Sequence, residues 1–157
     1  DNDNSKLAIN MNTSLIFSQQ KMTDAEYNGR VITEPNRVID RTRVLQGQAP
    51  FLINAGVTLT NVNKNFEAGL FYNVQGKTLE VVGVGNIPDV YTNPFNNLNL
   101  TCTKKFGANQ NQTITFKMQN ILADTRESFY DYYGEEQRPF YLFKIGRSFS
   151  LGYSIKF

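Results

Sequence analysis

The sequence contains no histidine and no tryptophan, only one cysteine, and no long hydrophobic run. Without histidine, neither a Ser-His-Asp triad nor a Cys-His pair can form, and we predict no enzyme activity. The single cysteine, Cys102, has no partner for an internal disulfide. No stretch of about 18 apolar residues is present, which excludes a transmembrane helix.

The charged residues are also sparse and balanced. The chain contains sixteen Lys and Arg residues and fourteen Asp and Glu residues, which gives a net charge of +2. No run of basic residues occurs. We therefore predict no nucleic-acid partner. The acidic start of the chain imitates a calcium loop, but Lys6 stands where such a loop needs glycine and Asn12 where it needs glutamate. We predict no metal site and no cofactor.

The last ten residues, SFSLGYSIKF, show the most regular pattern in the chain. Apolar residues occupy every second position, namely Phe149, Leu151, Tyr153, Ile155 and Phe157. Serine, glycine and lysine occupy the positions between them. A transmembrane β-strand has this pattern, because one face meets lipid and the other meets a polar lumen.

Period-two alternation occurs in six segments and predicts six strands. They are Leu7 to about Phe17, Phe51 to about Asn61, Phe66 to about Lys77, Leu98 to about Lys105, about Thr113 to Gln119, and a last strand that starts near Tyr141. Aromatic residues make up 13% of the chain, all Phe and Tyr, as the interfacial girdles of a membrane barrel require.

The predicted connections alternate between short and long. The short ones are Val62 to Asn65 and Gly107 to Asn111, and the long ones are Thr23 to Pro50, Gly83 to Asn97 and Ile121 to Phe140. Outer-membrane barrels have short periplasmic turns and long extracellular loops. We therefore predict an all-β fold, an antiparallel transmembrane β-barrel. A soluble β-sandwich shows the same alternation and stays open as an alternative.

Six strands are too few to close a membrane barrel, since known single-chain barrels start at about eight. We therefore expect residues 1–157 to be the C-terminal part of a larger barrel, with the plug domain and earlier strands elsewhere. The polar N-terminus shows no signal peptide, which an outer-membrane protein needs at synthesis. We therefore expect that a leader has been cleaved or that the chain begins partway through a longer protein, and the strand count favours the second.

Several segments resemble the C-terminal end of TonB-dependent outer-membrane receptors. Ser150, Gly152, Tyr153, Ile155 and Phe157 match the C-terminal assembly signal of outer-membrane barrels. Gly146, Arg147, Ser148 and Phe149 look like the opening of the receptors' last strand. Asn120, followed by Tyr130, looks like their penultimate element. The segment from Gln46 to Gly56 is similar to receptors of the Bacteroidetes type.

This resemblance implies a barrel of about 22 strands with a plug inside it, in the outer membrane of a Gram-negative bacterium. The implied function is nutrient uptake driven by TonB, with substrate binding on the extracellular side. The implied partners are the rest of the barrel and its plug, TonB, outer-membrane lipid, a surface lipoprotein, and the barrel-insertion machinery during assembly. Another outer-membrane barrel, such as a porin or a client of that machinery, stays open as an alternative.

The last long connection is rich in aromatic and charged residues. Tyr130, Tyr132, Tyr133 and Arg138 are candidates for extracellular contacts with a ligand or a lipoprotein. Packing of the loop on itself, together with an interfacial aromatic girdle, is the alternative that we favour.

Overall fold

The computed structural model of the chain describes residues 4–132 and 136–157. Their strands are β1 Ser5–Leu15, β2 Gln20–Lys21, β3 Thr42–Arg43, β4 Phe51–Asn61, β5 Phe66–Gln75, β6 Thr78–Val81, β7 Val90–Thr92, β8 Phe95–Phe106, β9 Gln112–Gln119, β10 Thr125–Tyr130, β11 Arg138–Lys144 and β12 Ser148–Ile155. One α-helix, α1, spans Asp24–Thr33, and a 3₁₀ turn spans Ala108–Gln110. The described chain is therefore mostly β, as the alternation predicts.

Six of these strands form one antiparallel sheet, which we call the main sheet. Their order is β1-β4-β5-β8-β9-β12, and each strand is 8 to 12 residues long. All six predicted strands contribute to it. The two outer strands, β1 and β12, each have one neighbour, so the described sheet is open at both edges.

The two short connections lie at one end of the main sheet, which we call the turn rim. In the turn after β4, Lys64 N donates to Asn61 Oδ1 at 2.7 Å. Asn65 closes this turn in the left-handed region, with a φ of 47°, which asparagine tolerates better than most residues. All three long connections leave from the opposite end, the loop rim, so the predicted alternation of short and long connections is confirmed.

The register of the main sheet places apolar residues side by side across all six strands. One row across the sheet runs Ile9, Val57, Leu70, Leu100, Met118 and Phe149. The neighbouring row runs Leu7, Leu59, Ala68, Cys102, Phe116 and Leu151. Directly opposed residues in a ladder point to the same face. The two rows therefore form a continuous apolar face, and Cys102 lies on it as predicted.

This apolar face has no covering layer in the described structure. Ile9, Met11 and Leu151 are 72%, 73% and 76% exposed. The buried hydrophobic residues, by contrast, all lie outside the strands of the main sheet: Met22, Ala49, Leu79 and Val90. The described part of the chain therefore has its core among the long connections and none beneath the main sheet.

The prediction that one strand runs from near Tyr141 to the end is wrong. The segment is two strands, β11 and β12, which belong to different sheets. Gly146 separates them, and its φ of 74° lies in the left-handed region where glycine pays no steric penalty. The continuous apolar run from Phe140 to Phe143 lies before this turn and the alternating residues of β12 lie after it, so hydrophobicity alone does not locate the turn.

The long connections are folded. Strands β6, β7, β10 and β11 form a second antiparallel sheet, in the order β11-β10-β7-β6. The first long connection contains the β2-β3 pair and helix α1. Thr23 caps this helix, and Glu26 completes a capping box by accepting from the backbone N of Thr23 at 2.6 Å. Within the described residues, no helix has the length and hydropathy to cross a membrane.

Candidate functional site

The polar face of the main sheet carries a row of asparagines near the loop rim. Asn12, Asn54, Asn73 and Asn97 lie opposite one another on β1, β4, β5 and β8. Asn73 Nδ2 donates to Asn54 Oδ1 at 2.7 Å. The Oδ1 atom of Asn97 is buried and has no hydrogen-bond partner among the described residues.

A cleft opens between this asparagine row and the second sheet. Its first part, which we call the amide chamber, has a volume of about 250 Å³ and is lined by Leu52, Asn54, Asn73, Val74, Gln75, Thr92, Phe95, Asn97 and Arg126. Its second part, the carboxylate chamber, has a volume of about 480 Å³ and includes Gln46, Thr78 and Glu80. Gln75, Thr92 and Arg126 line both chambers, so the two are adjacent.

Glu80 is held by hydroxyl groups inside the second sheet. Thr92 Oγ1 donates to the Glu80 carboxylate at 2.7 Å, and Ser128 Oγ also donates to it. Ser128 is fully buried and Thr92 nearly so. The carboxylate is therefore fixed as an acceptor at the wall of its chamber. Hydrogen bonds to an ionised acceptor are stronger than those between neutral groups.

A network of ion pairs fixes helix α1 and the loops beside the second sheet. Arg30 pairs with Asp89, Arg43 Nη2 lies 3.0 Å from Glu26 Oε1, and Lys77 Nζ lies 3.2 Å from Asp131 Oδ1. The backbone of helix α1 also packs closely against the loop at Gly85. A Cβ on Gly29 would lie only 2.7 Å from the carbonyl oxygen of Gly85.

Two pKa shifts follow from this packing. The backbone N–H of Thr23, followed by the hydrogen bonds from Arg43, holds the pKa of the Glu26 carboxyl below its usual value despite burial. Burial and the charge of Asp89 raise the pKa of the Tyr91 phenol. Lys77 Nζ lies 4.5 Å from the centre of the Tyr91 ring, so a cation faces this ring.

Three of the motif residues meet where the chain leaves the main sheet and returns to it. Asn120 Nδ2 donates to the carbonyl oxygen of Gly146 at 2.8 Å, and Arg147 Nε donates to the carbonyl oxygen of Ile121 at 2.8 Å. The Asn120 backbone N also donates to Asn99 Oδ1 at 3.1 Å. Asn120, Gly146 and Arg147 therefore fasten the two ends of the last long connection, and we call them the clasp. Their position indicates a structural role.

Asp124 holds the same connection to β8. The backbone N of Asn96 donates to Asp124 Oδ2 at 2.6 Å, and the backbone N of Thr125 donates to Oδ1 at 2.9 Å. Burial alone would raise the pKa of the Asp124 carboxyl, but these hydrogen bonds outweigh it and lower the pKa.

The residues of the predicted assembly signal lie along β12 and just beyond it. Phe149, Tyr153 and Ile155 lie on the apolar face, while Ser150 and Gly152 face the polar side opposite Lys117 and Thr115. Tyr153 donates its hydroxyl to Gln112 Oε1 at 3.1 Å. Phe157 follows the strand and is fully exposed. Nothing in the described chain covers this segment, and its role as an assembly signal stays a prediction.

The predicted loop contacts come together in β10, β11 and the residues after β10. The Tyr130 ring lies 5.4 Å from Phe140, edge to face, and 6.2 Å from Tyr132. The Arg138 guanidinium lies 5.8 Å from the Tyr132 ring. Tyr133 lies outside the described residues. These contacts pack the loop on itself, while the interfacial girdle and the contacts with a ligand or lipoprotein stay predictions.

The cleft itself was not predicted. Its asparagines lie on strands whose polar faces suggest only hydration, and Arg126 and Glu80 come from connections treated as loops. Helix α1 did leave a signal, since Thr23 followed three residues later by Glu26 is a capping box. No group of three or more Cys, Asp or Glu side chains that could hold a metal occurs in residues 4–132 and 136–157.

In comparisons with known proteins, no protein-family model, no curated protein and no solved structure matches the chain. The function is therefore argued from the sheet, its two faces and the cleft.

Proposed function

We propose that this chain forms part of the wall of a transmembrane β-barrel in a bacterial outer membrane. The observation that carries the proposal is the continuous apolar face of the main sheet, which crosses six strands and has no cover. Leaving Ile9, Met11 and Leu151 in water would forfeit most of the hydrophobic stabilisation of a folded sheet. A hydrocarbon environment removes that cost, whereas the soluble β-sandwich would need a second layer here.

Strand length and topology support the same proposal. A barrel strand needs about 9–11 residues to cross the bilayer at a tilt, and the strands of the main sheet span 8 to 12. The two short turns share one rim and the long connections share the other. The open edges at β1 and β12 would be closed by further strands of the same barrel, because unpaired backbone groups are not tolerated in lipid.

We propose further that the barrel is a TonB-dependent nutrient receptor with a plug in its lumen. The support is the resemblance in β12 and in the clasp, whose residues Asn120, Gly146 and Arg147 act together at the loop rim. The remaining strands, the plug, TonB, lipid, the insertion machinery and a surface lipoprotein would be its partners. The second sheet and helix α1 would then form part of the extracellular surface.

Fractionation of cells that produce the protein tests the membrane proposal. The protein should sediment with the outer membrane, require detergent for extraction, and migrate faster in gels before boiling than after it. Deletion of Phe157 should lower the amount of assembled protein. A monodisperse protein in plain buffer would contradict the proposal.

Reconstituted liposomes separate a plugged receptor from a porin. Vesicles that contain the purified protein should not swell in an isotonic arabinose solution, because a plug blocks passive diffusion. Rapid swelling without an energy source would favour the porin alternative.

A further inference from the structure

Arg126 differs from the other arginines of this chain, because its side chain has no partner among the described residues. Of the seven arginines, Arg30, Arg37, Arg41 and Arg43 pair with carboxylates, Arg138 lies against the Tyr132 ring, and Arg147 donates to a carbonyl oxygen. The side chain of Arg126 makes no ion pair, hydrogen bond or ring contact with any described residue. Arg126 is exposed and lines both chambers of the cleft. An unpaired guanidinium in a concave site is suited to bind a carboxylate in bidentate geometry.

The amide chamber around Arg126 contains no carboxylate. Glu80, the acidic residue of the cleft, lines only the other chamber and is already held by Thr92 and Ser128. The amide chamber is instead lined by amide side chains, including Asn54, Asn73 and Asn97. An anion bound there would meet one cation and several neutral hydrogen-bonding groups, with no lining carboxylate to repel it.

The amide side chains that line the chamber can hydrogen-bond to the rest of such a ligand, because each amide group carries both a donor and an acceptor. The combined volume of the two chambers, about 250 and 480 Å³, is in the range of small-molecule sites.

We propose that the cleft binds a small carboxylate-bearing ligand, with its carboxylate on Arg126 and its neutral polar groups against the amide side chains of the amide chamber. An acidic oligosaccharide and an acidic peptide share this chemistry. As a site for the transported molecule, this inference rests on the proposed function. Binding itself does not, because it can be measured on the purified protein.

Calorimetry on the purified protein in detergent, with three probes, tests the proposal. The probes are tri-galacturonate, the uncharged trisaccharide maltotriose, and the peptide Gly-Gly-Asp. One or both acidic probes should bind, and the probe that binds identifies the ligand as an acidic oligosaccharide or an acidic peptide. Arg126→Gln should weaken that binding by about tenfold or more, since a charge-assisted bidentate contact is lost. Arg126→Lys should restore only part of it.

Lys117→Gln is the matched control. Lys117 lies on the same polar face opposite Thr101. Thr101 is four residues from Asn97, about 13 Å along the strand. The control removes the same charge outside the cleft and should leave affinity unchanged. Since the Arg126 side chain makes no ion pair or hydrogen bond with a described residue, Arg126→Gln should unfold at the wild-type denaturant midpoint.

Failure of both acidic probes to bind the folded protein would overturn the proposal. So would equal losses in Arg126→Gln and Lys117→Gln, which would indicate a general charge effect. If acidic probes bind but the protein is found outside the membrane fraction, the proposed function fails and the cleft assignment stands.

Discussion

The main sheet and the folded long connections differ in where they place their apolar side chains. In the connections, Leu79 and Val90 are fully buried, ion pairs fix helix α1, and Glu80 has its hydroxyl donors. In the main sheet, large apolar side chains are exposed on one face and amides line the other. The connections resemble a small water-soluble domain with its own core. The main sheet has no such core in the described structure, and this difference is the strongest argument for the proposed membrane environment.

Truncation of a core side chain should separate the two regions most strongly. Leu79→Ala should lower the free energy of unfolding of the second sheet by about 2–5 kcal/mol, because it leaves a cavity at a fully buried site. Leu59→Ala on the apolar face, where the residue is 42% exposed, should cost much less. Hydrogen exchange of the β6 and β7 amides measures the first effect. Equal costs at both positions would mean that the main sheet also has a core.

Arginine substitutions on adjacent positions of β8 should reveal the two faces of the main sheet. Leu100 lies in the apolar row and Thr101 faces the polar side. Leu100→Arg should destabilise the protein by about 2–4 kcal/mol if it meets the bilayer midplane, and Thr101→Arg should cost far less. Denaturant unfolding in liposomes compares the two variants. Similar losses would contradict the assignment of the faces.

The clasp joins the two regions, and breaking it should affect mainly the connection. Asn120→Ala removes the hydrogen bond to Gly146 and places alanine at a φ of 51°, so we expect a loss of about 1–3 kcal/mol. Asn10→Ala, an exposed site on β1, is the control and should be nearly neutral. Protease susceptibility of the β10–β11 segment is the readout. Unchanged protease susceptibility in Asn120→Ala would contradict a structural role for the clasp.

Acidification should destabilise helix α1, and this is the smallest of the expected effects. The pKa of Glu26 is lower in the folded protein than its ordinary value of 4.5. Its ionised form therefore stabilises the fold above that ordinary pKa, and this contribution is lost as the pH falls through the lowered value. Hydrogen exchange of the α1 amides should increase over this interval in the wild type and change less in Glu26→Gln. A similar increase in both proteins would assign the effect to other carboxyls.

The sequence predicted the main sheet well because its strands alternate over eight or more residues and its short turns contain Asn and Gly. It failed where two hydrophobic strands, β11 and β12, follow one another closely and are separated by a short turn at the left-handed Gly146. The cleft could not be predicted, because Asn97 and Arg126 meet only after a long connection folds back on the main sheet. Asn99 and Gly146, which hydrogen-bond to Asn120, also lie far from it along the chain. The motif therefore singled out Asn120 but could not predict these contacts.

The environment of Cys102 tests the central claim most directly. This cysteine is the only one in the chain and lies on the apolar face, between Ala68 and Phe116. A nitroxide attached to it in liposomes should be relaxed by oxygen, which concentrates in lipid, and protected from the water-soluble nickel chelate NiEDDA. A label at Thr103→Cys, combined with Cys102→Ser, faces the polar side and should show the reverse. Greater access of the nickel chelate to Cys102 than to position 103 would contradict the claim that the apolar face meets lipid.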